Sequence, residues 1–354
     1  MELLTAHDQW KTRPTDQRFQ TLAALKASVE GRRRRAREVA INLTDLRFTA
    51  PNETAITIGV RSQEAIPSNW AFGQLASHLK APAGYLRSLP APLARQCLQH
   101  GIGHAPAREA TRLLLETDDG GEETTLRAAT SLTYGRIWDS EVVEMVEQIV
   151  QYTDGRFFNP KEWSGTPSGL YASDRDVFLF LIDGGSLVDG GGERDQLFRG
   201  FFTWNSEVGS ATFGLTTFLF RQVCGNHIIW GAEDVKTVKI RHTGQAPSRF
   251  AQEVRPALLS YVNASAKQTE ETIKQAKVLL LPDTREERIA WLTERGFTKA
   301  EAQGGIAAAE REEGDGRTLW QVVNGLTAYA REYAYLDARV DLERRAGKLM
   351  HLVG

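Results

Sequence analysis

Cysteine is almost missing from this chain: only Cys97 and Cys224 occur among 354 residues. Two distant thiols cannot make a disulfide framework, which excludes a small cross-linked secreted scaffold and fits a reducing cytoplasm. Histidine is also scarce, at seven. An excess of either charge is lacking, since 43 basic residues meet 45 acidic ones for a net charge of −2. Attraction to nucleic acid or to an anionic membrane therefore has to come from a local patch. Long apolar runs are absent too. The run Val177–Ile182 (VFLFLI) is far short of a membrane span, and MELLTAHDQWKTRP lacks the apolar core of a signal peptide. A soluble cytoplasmic protein without membrane contact is expected. With 41% hydrophobic residues the chain can bury a large core, as one large domain or two.

Apolar spacing predicts a helix from Thr15 to Arg37, with Thr15–Asp16 as N-cap, running into GRRRRAR. VAINLTDLRF and TAITIGV read as strands around the turn APNE, and Ser68–Asn69 opens a helix. TRLLLET and TLRAATS flank DDGGEE as a hairpin, and SEVVEMVEQIVQYT is a helix. The stretch from Arg156 to Gly231 reads as strand- and glycine-rich, with Leu187–Gln196 a hairpin loop. From Ala246 onward the pattern is helical, beginning with one long helix to Leu281. Strands first and helices later predict an α+β fold, β-rich and mostly antiparallel with packed helices, followed by a helical C-terminal region. The expected division is 1–245 as the α+β core and 246–354 as the helical part.

The stretch Thr203–Gly231, TWNSEVGSATFGLTTFLFRQVCGNHIIWG, sets polar groups among core-like residues. Cys224 and His227 stand as C-x-x-H with His242 further on, but a zinc site needs three or four ligands and no second pair is present. Cys224 reads instead as a small buried hydrophobe. Ser206 has neither a nucleophile elbow nor a base placed by a recognisable triad order. Asn205, Ser206 and Gly209 suit a turn, with Glu207 paired to Arg221 or Arg199, and this is favoured over catalysis. The glycine-rich loop lacks phosphate-loop spacing, and its acids Asp183, Asp189, Glu193 and Asp195 match no calcium loop. No cofactor or metal is expected.

Arg32, Arg33, Arg34, Arg35 and Arg37 have two readings. They can neutralise phosphates, or they can form a solvated helix end that favours the C-terminal dipole. Trp10, Phe48, Trp70, Tyr134 and Trp138 could stack on bases, although no spacing ties them to the arginines. Trp291, Trp320, Tyr329 and Tyr333 stand at helical spacing, as core residues do.

Four stretches carry a resemblance: Asn69–Pro90, Leu126–Val146, Trp204–Asn226 and Thr318–Tyr333. Together they resemble the phage/plasmid-like proteins catalogued as domain of unknown function 932, over most of the chain from about Asn69 to Tyr333. The most specific is Asn205–Ser206–Glu207–Val208–Gly209, followed by an apolar strand and Arg221, Cys224 and Asn226; these positions are the family signature. His227 departs from it, standing where the family has glycine. The resemblance implies no reaction and no catalytic residue. It implies an association with bacteriophages, plasmids and integrated elements, hence with DNA metabolism or host defence. The leading expectation is a non-enzymatic, self-associating protein that binds single-stranded DNA, as an annealing or recombination accessory. A host-factor antagonist and a metal-dependent hydrolase using Glu207 are the alternatives.

Overall fold

A computed structural model describes residues 14–61, 63–106, 109–159, 169–189, 196–221, 227–229, 238–264, 267–330, 332, 342–343 and 345–353. The first helix, α1 (Leu22–Arg35), starts later than its apolar spacing suggests. Thr21 caps it, accepting a hydrogen bond from the Ala24 amide at 3.1 Å, while Thr15–Gln17 is only a 3-10 turn. Arg37 lies beyond it, in β1 (Ala36–Asn42).

The chain then makes β2 (Arg47–Thr49), β3 (Thr57–Val60) and β4 (Gln63–Pro67), and the helices α2 (Asn69–His78), α3 (Ala83–Leu86) and α4 (Ala91–Gly103). Ser68 caps α2 as expected, accepting from the Ala71 amide. The hairpin β5 (Ala110–Thr117) and β6 (Thr124–Ser131) completes a six-stranded sheet in the order β1-β5-β6-β4-β3-β2. Among the described residues of this sheet, only the β4–β6 pair is parallel.

β1 and β2 occupy opposite edges of this sheet, yet a single 3-10 turn, Leu43–Asp45, joins them. Six flat strands would separate those edges by about 24 Å, whereas five residues of chain reach at most about 17 Å. The sheet is therefore strongly curled, and Asn42 and Arg47 line the same surface recess. Inside the curl, Val39, Ile41, Phe48, Ile58, Leu113, Leu115 and Leu126 pack with Leu75 and Leu98 of the helices.

Helix α5 (Asp139–Tyr152) leads into the second sheet: β7 (Phe157–Phe158), β8 (Leu170–Ala172), β9 (Val177–Asp189), β10 (Gln196–Asn205), β11 (Phe213–Arg221), β12 (His227–Ile229) and β13 (Val238–Ile240). Its path is β12-β11-β10-β9-β7, with β13 on β11 and β8 on β9, all antiparallel. Alternation along the strands divides its side chains between two cores. Val177, Leu179, Leu181, Phe201 and Leu215 face α1 and α5, whereas Phe178, Phe180, Phe202, Trp204 and Phe218 form an aromatic layer on the other side.

The long helix expected from Ala246 to Leu281 is broken. Short α6 (Ala246–Arg249) passes through a π turn (Phe250–Val254) into α7 (Arg255–Asn263), and α8 (Lys267–Val278) follows separately. Pro256 has no N–H to offer the Gln252 carbonyl, and the widened turn accommodates that loss. Phe250, Val254, Leu258 and Val262 belong to the second sheet's core. A separate helical core holds Ile273, Leu292, Ile306 and Leu326, from α8, α9 (Arg285–Thr293), α10 (Lys299–Glu312) and α11 (Leu319–Ala330). Capping boxes at Thr284/Glu287 and Thr298/Glu301 start α9 and α10. Trp320 is buried in this core, with Trp291 and Tyr329 packed against it. The architecture is α+β, mostly antiparallel, with a helical C-terminal region.

Candidate functional site

Asn205 ends β10, and the chain turns back through Ser206–Ser210. Gly209 sits at φ +81°, the left-handed region that favours glycine. Ser206 Oγ accepts from the Ser210 amide at 2.9 Å and donates to the Arg175 carbonyl at 2.6 Å. Asn205 Nδ2 donates to the Ile137 carbonyl and to Asp139 Oδ1, both at 2.8 Å. All three signature polar residues are buried. The turn read from Asn–Ser–Glu–x–Gly is thus present, its side chains hydrogen-bonded except at the buried Asn205 Oδ1, which has no partner among the described residues.

The expected partner of Glu207 needs correction. Its carboxylate takes a hydrogen bond from Arg127 Nη1 at 2.9 Å, and its other oxygen accepts the Asp139 amide at 3.0 Å. Arg136 donates to the Glu207 carbonyl. Arg199 is spent elsewhere, donating to the Tyr261 and Ala264 carbonyls at the end of α7. The side chain of Arg221, and Cys224 and Asn226 entirely, lie outside the described residues, as does the side chain of His227.

Arg127 reaches Glu207 because β6 bulges there. Leu114 pairs with Ala128 and Leu115 with Leu126, which leaves Arg127 as the extra residue. It also contacts Glu116 at 3.3 Å. Arg136 bonds Glu38 at 2.9 Å. Of these contacts, the bonds from Arg127 and Arg136 to Glu207 fasten the first sheet and the start of α5 to the signature turn of the second. The sequence reading missed Arg127, Arg136 and Asp139. The available signal was an arginine inside LRAATS, amid residues that are otherwise buried.

Helical geometry divides the arginine run. Arg32 and Arg35, three positions apart, share one face of α1. Arg32 donates to the Ser173 carbonyl and lies 3.7 Å from Asp139, while Arg35 bonds Glu116 at 2.8 Å and approaches Asp119 at 3.3 Å. Arg33 is exposed and lies over Trp138, 3.7 Å from the ring centre. Arg34 and Arg37 are exposed, without an ion pair among the described residues.

Trp138 and Trp70 both pack on the small cluster of Leu114, Ala128 and Val208. Trp70 Nε1 and Gln74 Nε2 donate to the Val208 carbonyl at 2.9 and 2.8 Å. Arg175 lies over Trp70 at 5.4 Å, and Arg136 lies 5.5 Å from the Trp138 ring. The signature turn therefore carries a half-buried pair of tryptophans, each with an arginine on it. Of the other aromatic candidates, Phe48 is core, Tyr134 hydrogen-bonds the Ser206 carbonyl beneath this rim, and Trp10 lies outside the described residues.

Among the described residues, no three His, Cys, Asp or Glu side chains are grouped to hold a metal. His242 hydrogen-bonds Gly135 and stacks on Tyr134 at 5.0 Å. Of the loop acids, Asp183 pairs with Arg156 at 2.9 Å. Glu193 and Asp195, like the Asp189 side chain, lie outside the described residues. Both Glu207 oxygens are already engaged with Arg127 and Asp139.

Asp139 gives this network a pH dependence. Burial, reinforced by the Glu207 charge, pushes its carboxyl well above the usual 3.8. The native state then holds a proton where the unfolded chain has released it. This contribution to stability is complete below the unfolded value and is lost as pH rises through the folded one. Asp139→Asn stays neutral and can still accept from Asn205. The stability of the native sequence minus that of Asp139→Asn is therefore expected to fall as pH rises from about 4 toward neutrality, read by urea unfolding. A flat difference would refute a raised carboxyl.

Two sheets joined by the buried Arg127–Glu207 ion pair and bordered by arginine-capped tryptophans define an α+β protein with a charged seam. The family model described as Domain of unknown function (DUF932) matches residues 128–349, and the chain belongs to that family. That span holds the signature turn, Arg136, Trp138 and Asp139; Arg127 and Trp70 precede it. No curated protein and no solved structure matches the chain. No helix among the described residues is long and apolar enough to cross a membrane.

Proposed function

We propose that this protein associates with single-stranded nucleic acid along the arginine–tryptophan rim. The observation that carries the reading is Arg33 over the Trp138 ring at 3.7 Å; Arg34 and Arg37, which follow it in the chain, are exposed and without an ion pair among the described residues. Guanidinium groups suit bidentate phosphate contact, and a base can stack on an arginine plane as it does on an aromatic face, so Arg33 layered on Trp138 offers a surface for one. The rim requires fewer phosphate-binding arginines than the whole run, because Arg32 and Arg35 hold the fold together. In its finer form the role is cytoplasmic annealing or recombination of phage or plasmid DNA by a self-associating protein.

Mobility shift with labelled single- and double-stranded oligonucleotides tests this. Retardation of the single strand at micromolar protein, weakened by Arg34→Ala/Arg37→Ala, is the expected result. No retardation of either strand would end the reading.

A further inference from the structure

Beside Trp70 the surface opens into a recess of about 540 Å³, within the size range of small-molecule sites. Its walls include Asn69, Trp70, Gly73, Ser77, Arg87 and Arg175. We infer that this recess holds one nucleotide unit, with the base on the Trp70–Arg175 face, where Arg175 lies 5.4 Å from the Trp70 ring centre, and the phosphate on Arg87 and Arg175. The inference rests on the nucleic-acid reading and deepens it by naming a subsite.

The two guanidinium groups keep donors available. Arg87 gives one N–H to the Asn69 carbonyl at 2.7 Å, and its remaining nitrogens have no hydrogen-bond partner among the described residues. The nearest acid to Arg175 is Asp174 at 3.9 Å, with both side chains in solvent contact. That distance is beyond hydrogen-bonding range, so the Arg175 fork remains open to an incoming anion. Arg87 reaches across α2 where Gly73 gives it room; a Cβ there would stand 3.2 Å from its Nη2.

The aromatic wall is fixed in place. Trp70 is tied through its indole N–H to the Val208 carbonyl. Gln74 spends both ends of its amide, donating to Val208 and accepting from the Ala129 amide at 2.9 Å. The exposed side chains of Asn69 and Ser77 have no hydrogen-bond partner among the described residues and face solvent, where they can meet a base edge. A ring wall with two open guanidinium groups suits a planar aromatic anion better than a bare one.

Titration with adenosine 5′-monophosphate tests the site, followed on the Trp70 indole N–H resonance and assigned by its loss in Trp70→Phe. A saturable shift is expected, weaker with adenosine and with inorganic phosphate. Arg87→Ala and Arg175→Ala should each weaken binding about tenfold. No shift at concentrations on the order of 10 mM, an equal response to inorganic phosphate, or full affinity in the double arginine variant overturns the site. Oligonucleotide binding without a response to the monophosphate removes this pocket and leaves the strand reading intact. A response to the monophosphate without oligonucleotide binding does the reverse.

Discussion

Glu207→Ala is expected to cost about 3–5 kcal/mol of stability, the usual effect of removing one partner from a buried ion pair. Arg127 is only 5% exposed, so it cannot recover its hydration when the carboxylate disappears. Glu116 remains 3.3 Å away and offsets part of the loss. The same substitution removes the acceptor for the Asp139 amide at the start of α5. Glu207→Gln keeps an oxygen for that amide and should cost less. Glu207→Leu combined with Arg127→Met should be less damaging than either change alone, because no buried charge is then left unpaired. Urea unfolding at unchanged slope measures these variants, the single Glu207→Leu and Arg127→Met changes included. A change within about 0.5 kcal/mol for Glu207→Ala would mean that the pair does not join the sheets.

Gly325→Ala sets two effects against each other. Alanine in a helix interior is intrinsically better than glycine by about 1 kcal/mol. Here the added Cβ would stand 2.3 Å from the Gly305 carbonyl and 2.5 Å from Ala309 Cβ, where α11 crosses α10. Backbone cannot swing aside as a long side chain can, so the helices must separate. Overpacking costs about 1–3 kcal/mol, sometimes more, and outweighs the propensity gain. The C-terminal helical core should therefore melt earlier, and Gly325→Val should be worse still. A raised melting temperature for Gly325→Ala would show that the crossing is looser than these distances require.

Local patterns were legible in the sequence wherever one face of an element decides it. The DDGGEE hairpin, the Ser68 cap, the α5 stripe and the α+β order follow from periodicity and turn chemistry. What failed to show depends on distant partners. Thr15–Asp16 looked like a cap, but Thr21 caps the helix, which begins at Leu22. The strand VAINLTDLRF contains a 3-10 turn that throws its halves to opposite sheet edges. Glu207 was recognisable as a paired carboxylate, yet its partner Arg127 lies 80 residues earlier, aimed by a bulge that periodicity does not reveal. The arginine run looked uniform until helical spacing turned Arg32 and Arg35 inward.

That division gives the most direct measurement of the proposed function. The salt dependence of single-strand affinity should be compared between the native chain and Arg34→Ala/Arg37→Ala. Each phosphate contact on a single strand contributes about −0.7 to the slope of log K against log salt. The double variant should therefore lose about 1.4 from its slope while its unfolding midpoint stays put. An unchanged slope would contradict the account, and so would the loss of folding and binding together.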